Sequence, residues 1–440
     1  MHERTSAEDA VHIPPAGRIT GELFPPGDKS ISHRAVIFLS LSSGTARVKN
    51  FLFADDCLRT VAIMERLGAD IIREDGGLVI TGKGLRELTE PDDVLYCGNS
   101  GTTMRLMLGV LAGTGFFSVL SGDESLSRRP MGRVTEPLGR MGAVIHGREH
   151  GTYPPLAVAG ADLSGREFDL AISSAQVKSA LLFAGMRAAG VTRVREPSPS
   201  RDHTERMMDY FDIPLSREGG GWLAVEAVEG FDARDIEVAG DLSSAAPFIA
   251  AALIVPGSEL VVKNVGLNPG RVGVIEVLEA MGGDITVENR RDVSGEIVGD
   301  LLVRSSKLSG ITIDGDMIPR VIDEIPVLAT AAAVATGETR IVDAGELRVK
   351  ESDRIATTVT NLRALGIDAA ELPDGMVIPG GGDIDGGAVD SYGDHRAVMA
   401  GAVAGMVSTR GVMISNASSV TISYPNFFDH LTTLTGTYPL

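Results

Sequence analysis

One pattern recurs six times along this 440-residue chain: a short polar cluster followed by an Ala-rich or Leu-rich apolar run. The copies begin near Ser30, Thr102, Ser174, Ser244, Glu324 and His395. Their intervals are roughly 70 to 80 residues, a period that points to a repeated structural unit. A second mark follows later in most copies. Leu67-Gly68-Ala69-Asp70, Met141-Gly142-Ala143-Val144, Met281-Gly282-Gly283-Asp284 and Leu365-Gly366-Ile367-Asp368 carry it, and Phe211-Asp212-Ile213-Pro214 and Leu434-Thr435-Gly436 are degenerate forms. Glycine there suits the residue just past a helix, and the residues after it read as strand starts. The chain is therefore expected to hold six copies of a unit with two helices and several short strands. Three copies precede Gly240 and three follow it. Runs such as Ala329 to Ala335 and Ala397 to Gly405 lack a polar face and are expected to be buried on most sides.

The polar clusters hold the chemistry. Gly27-Asp28-Lys29-Ser30-Ile31-Ser32-His33-Arg34 is a loop feeding a helix, with Asp28, Ser30 or Ser32 as the cap. Its first turn offers free backbone N–H groups and a positive dipole end, an anion site flanked by two cations. Cys97 to Arg105 and Ser173 to Lys178 repeat that composition, and Arg128-Arg129-Pro130 ends a further loop. Lys350 and Arg354 share a helical face with Glu351 beside them, and Arg396 follows Asp394-His395 at another helix start. Cations thus gather at helix N-termini in both halves, the makings of a pocket for a small ligand with several negative charges. Taken singly, each cluster also fits a solvated cap, and Asp323 before Glu324-Ile325-Pro326 fits a plain N-cap. A carboxylate among lysine and arginine stays ionised and can act as a base, which makes Asp323 and Glu351 candidates for proton chemistry.

Composition excludes several classes. The net charge is -19, which argues against a nucleic-acid or anionic-membrane partner. Cys57 and Cys97 are the only cysteines, so no disulfide framework is indicated and a cytoplasmic setting fits. Met1 to Ala10 is polar, without an apolar signal-like core, and Ala245 to Val255 is too short to span a bilayer. No His/Cys spacing suggests a metal site, and neither a nucleophile elbow nor a dinucleotide fingerprint stands in the right context.

Six of these motifs, in order, resemble the EPSP synthase family of enolpyruvyl transferases: Gly27 to Arg34, Gly98-Asn99-Ser100-Gly101-Thr102, Arg129-Pro130-Met131-Gly132, Ser174-Ala175-Gln176, Arg348 to Arg354 and Asp394-His395-Arg396. The resemblance implies an α/β fold of two similar domains, each of three βαβαββ units with buried central helices, an inside-out α/β barrel. Residues 1–22 plus 240–440 would form one discontinuous domain and 23–239 the other, with the active site in the cleft between them. It implies transfer of the enolpyruvyl group of phosphoenolpyruvate to the 5-hydroxyl of shikimate 3-phosphate, on the route to chorismate and the aromatic amino acids. Lys29, Ser30, Arg34, Ser174, Ala175, Gln176, Asp323 and Lys350 would hold shikimate 3-phosphate, with Arg201 as an added phosphate contact. Lys29, Asn99, Gly101, Arg129, Gln176, Arg354 and Arg396 would hold phosphoenolpyruvate. Asp323 would be the base on the hydroxyl, and Glu351 with Lys29 would handle the proton at the enol carbon. No metal or organic cofactor, no nucleic acid and no membrane is implied, and a monomer is expected.

Two departures from the family pattern stand out. Thr421-Ile422-Ser423-Tyr424-Pro425 has no lysine where many members carry one, and Ala175 stands where a second serine is commoner. Gly101 matches the position at which the herbicide glyphosate competes, so a glyphosate-sensitive protein is expected. Two other readings are weighed. The related transferase acting on UDP-N-acetylglucosamine carries a reactive Cys in the loop matching Asp123 to Arg129, which has none here. A non-catalytic anion-binding protein would leave Asp323 and Glu351 as repulsive groups without a task.

Overall fold

The structure, a computed structural model, describes residues 9–439; most of the polar Met1–Ala10 stretch lies outside them. Six inner helices begin at or within a few residues of the six polar clusters: Lys29–Leu41, Gly101–Leu111, Ala175–Gly185, Leu242–Ile254, Ile325–Val334 and His395–Val407. Their first turns are fixed by side-chain caps from Asp28, Ser100, Ser174, Asp241 and Asp394, the Ile325–Val334 helix alone lacking one. These helices have no polar stripe because they have no wet face. Every residue from Leu242 to Leu253 is buried. Small residues let them approach closely: a Cβ on Gly109 would lie 2.2 Å from the Ala180 carbonyl oxygen.

The second helix of each copy is amphipathic and half-buried, as in Asp55–Arg66 and Arg354–Ala364. These helices end at the glycine-marked positions. Gly142 and Gly436 adopt the left-handed conformation past Gly132–Met141 and Phe427–Thr435.

Six small sheets accompany the six copies. The second copy shows the plan. Leu95–Tyr96 runs parallel to Phe117–Ser121, which pairs antiparallel with Tyr153–Ala159, and Val144–Gly147 closes the edge. Apart from the short turns Leu126–Arg128 and Arg148–Gly151, the chain order is strand, helix, strand, helix, strand, strand. Three copies borrow a strand from far along the sequence. Ile236–Glu237 supplies the first strand of the first copy, parallel to Ser43–Lys49. Thr20–Leu23 does so for the fourth, parallel to Glu259–Gly266. Ala10–Ile13 completes the sixth, antiparallel to Val412–Ser415.

The chain divides into two compact units. The first comprises Met1–Pro26, Gly240–Arg291 and Ile297–Leu440, the second Gly27–Ala239 and Asp292–Glu296. The crossing thus comes at Pro26-Gly27 rather than after residue 22, because Leu23 pairs with Val262 within the first unit. Gly27 is required there: a Cβ would stand 1.9 Å from the Asn50 carbonyl oxygen. Asp292–Glu296, the tip between strands Asp284–Val293 and Glu296–Arg304, groups with the second unit. There the Ser294 hydroxyl accepts from the Glu237 N–H at 3.0 Å and Glu296 meets His203 at 2.6 Å. No helix among the described residues is long and apolar enough to cross a membrane.

Candidate active site

In the second unit, the first turns of three inner helices are stitched together by neutral hydroxyls. Asp28 is the cap of Lys29–Leu41, accepting from the Ile31 N–H at 2.9 Å. The Lys29 ammonium lies 3.1 Å from Asp56 Oδ2. Ser30 gives its carbonyl to Arg34 Nη1 at 3.0 Å. Arg34, 2% exposed, also donates from Nε to Thr204 Oγ1 and from Nη2 to Ser179 Oγ, both at 2.7 Å. Burial lowers its pKa to about 10, against the pull of Glu205 and Asp28. His33 is held well below its ordinary value by burial and then by Lys29 and Arg34. The neutral ring meets Thr60 Oγ1 at 2.7 Å, and Thr60 meets Thr103 of the next inner helix at 2.8 Å.

Gly101 opens that next helix, with Ser100 as its cap. A Cβ on Gly101 would lie 3.1 Å from Cζ and Nη2 of Arg129, so the guanidinium stacks against bare backbone. Arg129 Nη1 donates to the Asn99 carbonyl at 3.4 Å, and the Asn99 amide donates to Asp123 at 2.9 Å. Gln176 faces the same turn: its amide N–H donates to Thr102 Oγ1 at 2.8 Å and its oxygen accepts from Arg105 Nη1 at 2.6 Å. Arg105 Nη2 also reaches the Pro130 carbonyl at 3.3 Å. Arg105 closes the Cys97 to Arg105 cluster of the sequence but takes no site role there, although its position one turn after Gly101 is a legible signal. Ser174 caps the third helix, which starts at Ala175, and Arg201 lies in the loop before His203–Tyr210.

The first unit is built differently, from interlocked charges. Arg354 has one face of its guanidinium fork on Asp394, at 2.8 Å from Nε and 3.3 Å from Nη2. Nη1 donates to Asp323 at 3.1 Å and Nη2 to Glu351 at 2.8 Å. Burial opposes the charge of Arg354, but Asp394, Glu351 and Asp323 more than offset it and raise its pKa further. Asp394 is fully buried, caps His395–Val407 and accepts from Ser352 Oγ at 3.1 Å. Although burial favours its protonated form, Arg354 holds its pKa below the ordinary carboxylate value. Lys350 stands 3.8 Å from Asp323. Burial lowers its pKa, partly countered by Asp323 and reinforced by Arg354.

Asp323 is therefore an ion-paired carboxylate and not a helix cap; Glu324 occupies the cap position of Ile325–Val334 without a capping bond. Glu324 is buried, accepts from the Ser243 hydroxyl and lies 3.9 Å from Arg396 Nη1, which donates to the Ser243 carbonyl at 3.0 Å. Arg271 completes this wall, donating to Asp241 Oδ1 at 2.6 Å and Ser243 Oγ at 2.5 Å. Sequence reasoning used Asp241 only as a boundary and missed Arg271, an isolated arginine after Asn268-Pro269-Gly270 with no motif of its own.

Such an arrangement can bind anions and move protons. The neutral hydroxyl and carbonyl acceptors around Arg34 in the second unit leave its cationic charge uncancelled. In the first unit an incoming anion must compete with Asp323 and Glu351 for Arg354. The cysteines offer no nucleophile: both are buried, and burial pushes the Cys97 thiol far up, so it stays protonated. Thr421 and Ile422 sit in a short helical turn, and no lysine follows Lys350 in the sequence. Among the described residues, no cluster of His, Cys, Asp or Glu is placed to hold a metal ion.

Comparison with known proteins agrees with the resemblance. The family model for EPSP synthase (3-phosphoshikimate 1-carboxyvinyltransferase) matches residues 13–431. A 3-phosphoshikimate 1-carboxyvinyltransferase of Geobacter metallireducens is 51% identical over 417 residues, covering 94% of this chain and 97% of the relative. One of Desulforudis audaxviator is 52% identical over 423 residues, covering 96% and 98%. The solved structure of an EPSP synthase from Acinetobacter baumannii superposes with a TM-score of 0.87 at 40% identity, covering 97% of this chain and 98% of that one. With a matching fold, six ordered motifs and matches along nearly the whole length, the chain belongs to the EPSP synthase (3-phosphoshikimate 1-carboxyvinyltransferase) family.

Proposed function

We propose that this chain transfers the enolpyruvyl group of phosphoenolpyruvate to the 5-hydroxyl of shikimate 3-phosphate, releasing inorganic phosphate, with residues of both units serving the reaction. The observation that carries this reading is the sharing of one buried guanidinium, Arg354, between two partly exposed carboxylates, Asp323 and Glu351. Asp323 takes the proton of the 5-hydroxyl as its oxygen attacks C2 of phosphoenolpyruvate. Glu351, with Lys29, delivers a proton to C3. The tetrahedral ketal then loses phosphate, and the proton leaves C3 again to restore the double bond. Base catalysis of this kind contributes about 10²–10⁴-fold.

The binding roles rest on charge and chemistry. Lys29, Ser30, Arg34, Gln176 and Lys350 hold shikimate 3-phosphate, and Ser174 and Arg201 meet its phosphate. Gly101, Arg129, Arg354 and Arg396 hold phosphoenolpyruvate, since arginine matches carboxylate and phosphate bidentately and keeps its proton. Asn99 acts through its carbonyl contact to Arg129. Two anions must be brought together against a repulsion of about 4 kcal/mol for unit charges 4 Å apart at an effective dielectric of 20. The protein works as a cytoplasmic monomer. Release of inorganic phosphate from shikimate 3-phosphate plus phosphoenolpyruvate tests the reading. No release with both substrates, or release requiring UDP-N-acetylglucosamine, overturns it.

A further inference from the structure

The Ala175–Gly185 helix carries a lysine, Lys178, that none of these roles uses. Its side chain is 4% exposed, and its ammonium lies 2.7 Å from Glu196 Oε2 and 2.8 Å from Glu205 Oε1. Those two glutamates are buried as well. Buried charges persist only when paired. Burial opposes the lysine's charge, but the two carboxylates more than offset this and raise its pKa.

Glu196 does more than neutralise. Its Oε1 accepts from the Ser174 N–H and from the Ser200 hydroxyl, each at 2.7 Å, and its Oε2 accepts from the Ser200 N–H at 3.4 Å. Glu205 lies in the His203–Tyr210 helix beside Thr204, which receives Arg34 Nε. One ammonium therefore ties together the cap of the Ala175 helix, the loop that carries Arg201 and the helix that anchors Arg34. A backbone N–H spent on Glu196 is no longer available to a ligand, which leaves Ser174 its hydroxyl proton as a donor, the hydroxyl oxygen accepting from the Val177 N–H.

We propose that Lys178 and Glu196 are positioning residues for the substrate's phosphate: they fix Ser174 and the Ser200-Arg201 backbone at the spacing a phosphate bridges. The inference rests on the phosphate contacts assigned above to Ser174 and Arg201. Order in these loops before binding removes part of the entropy cost of association.

The wild type is assayed first with both substrates; absence of turnover there overturns the functional reading, independently of any effect of the variants. In Glu196→Gln the new amide faces the Lys178 ammonium donor to donor. The KM for shikimate 3-phosphate is expected to rise about 10- to 100-fold, the worth of a charge-assisted hydrogen bond. The kcat and the KM for phosphoenolpyruvate are expected to stay near wild type. Shikimate without its phosphate, titrated by calorimetry, is expected to bind variant and wild type alike. Glu196→Asp, which keeps the charge, is expected to recover part of the affinity. Equal weakening of shikimate and shikimate 3-phosphate overturns the proposal, as does an unchanged KM. Should Glu196→Gln fail to fold, Ser200→Ala removes one donor to Glu196 and nothing else. An unchanged KM for shikimate 3-phosphate in that variant overturns the proposal too.

Discussion

The two units share one repeated plan yet hold two buried arginines, Arg34 and Arg354, in opposite ways. In the second unit, Arg34 is surrounded by neutral acceptors: Thr204, Ser179 and the Ser30 carbonyl. In the first, Arg354 is gripped by Asp323, Glu351 and Asp394. Neutral partners orient a guanidinium without cancelling its charge, which suits a residue that must attract an anion. Anionic partners cancel it, but they gain a reason to remain ionised at the site, which suits proton transfer. The same supersecondary unit thus carries a neutral setting for Arg34 and a charged one for Arg354, and the difference lies in a handful of side chains at helix starts.

The sharpest test of this contrast is Asp323→Asn. Turnover is expected to fall by about 10²–10⁴-fold, the reach of general-base catalysis, with shikimate 3-phosphate still binding in a direct titration. Near-wild-type turnover would remove the chemical role of the charged cluster.

Stability separates the two arginines next. Arg354→Met strands the fully buried Asp394 carboxylate and is expected to cost about 3–5 kcal/mol, as for other broken buried pairs. Arg34→Met leaves Ser179 and Thr204 hydroxyls 2.7 Å apart and able to bond each other, so a loss of about 1.5–3 kcal/mol is expected. Urea unfolding of both variants gives the comparison. Equal losses would mean that the neutral and the charged settings hold their arginines alike.

Gly101→Ala probes the second unit alone. The new methyl lies 3.1 Å from the Arg129 guanidinium, and overpacking of this order costs about 1–3 kcal/mol. The wild type is expected to be inhibited by glyphosate, and the variant's inhibition constant to rise more than its KM for phosphoenolpyruvate. Because the methyl meets Arg129 itself, equal rises would mean that displacement of Arg129 dominates, and a tolerant wild type would move attention to the lysine-free segment at Ile422.

The smallest effect concerns pH. Burial first, and Arg354 in part, leave Lys350 with a pKa below its ordinary 10.5. The charged form binds the anion, so affinity for shikimate 3-phosphate is expected to decline as pH rises, starting below that value. Lys350→Arg, whose guanidinium keeps its proton, is expected to flatten the decline. An identical alkaline limb in both proteins would assign it to another group.

Much of this was legible in the sequence because it depends on local chemistry. Asp28, Ser100 and Ser174 cap helices, glycines end them, and Ala-rich runs without a polar face must be buried; each is dictated by neighbours a few residues away. The family motifs contain Lys29, Gly101, Arg129 and Arg354 as candidate site residues. Tertiary structure decided what depends on residues distant in sequence. Thr20–Leu23 joins a sheet more than two hundred residues on, which no local pattern requires. Asp323, which by sequence fits either a base or a plain cap, is an ion pair, because the segment entering the second helix of the same copy brings Lys350 and Arg354 to it. Arg271 and Glu196 carry no motif, and Arg105 and Lys178 only close two polar clusters; their partners come from distant segments, which packing alone decides. Local sequence settles where a helix starts, and only packing decides which charges that start will face.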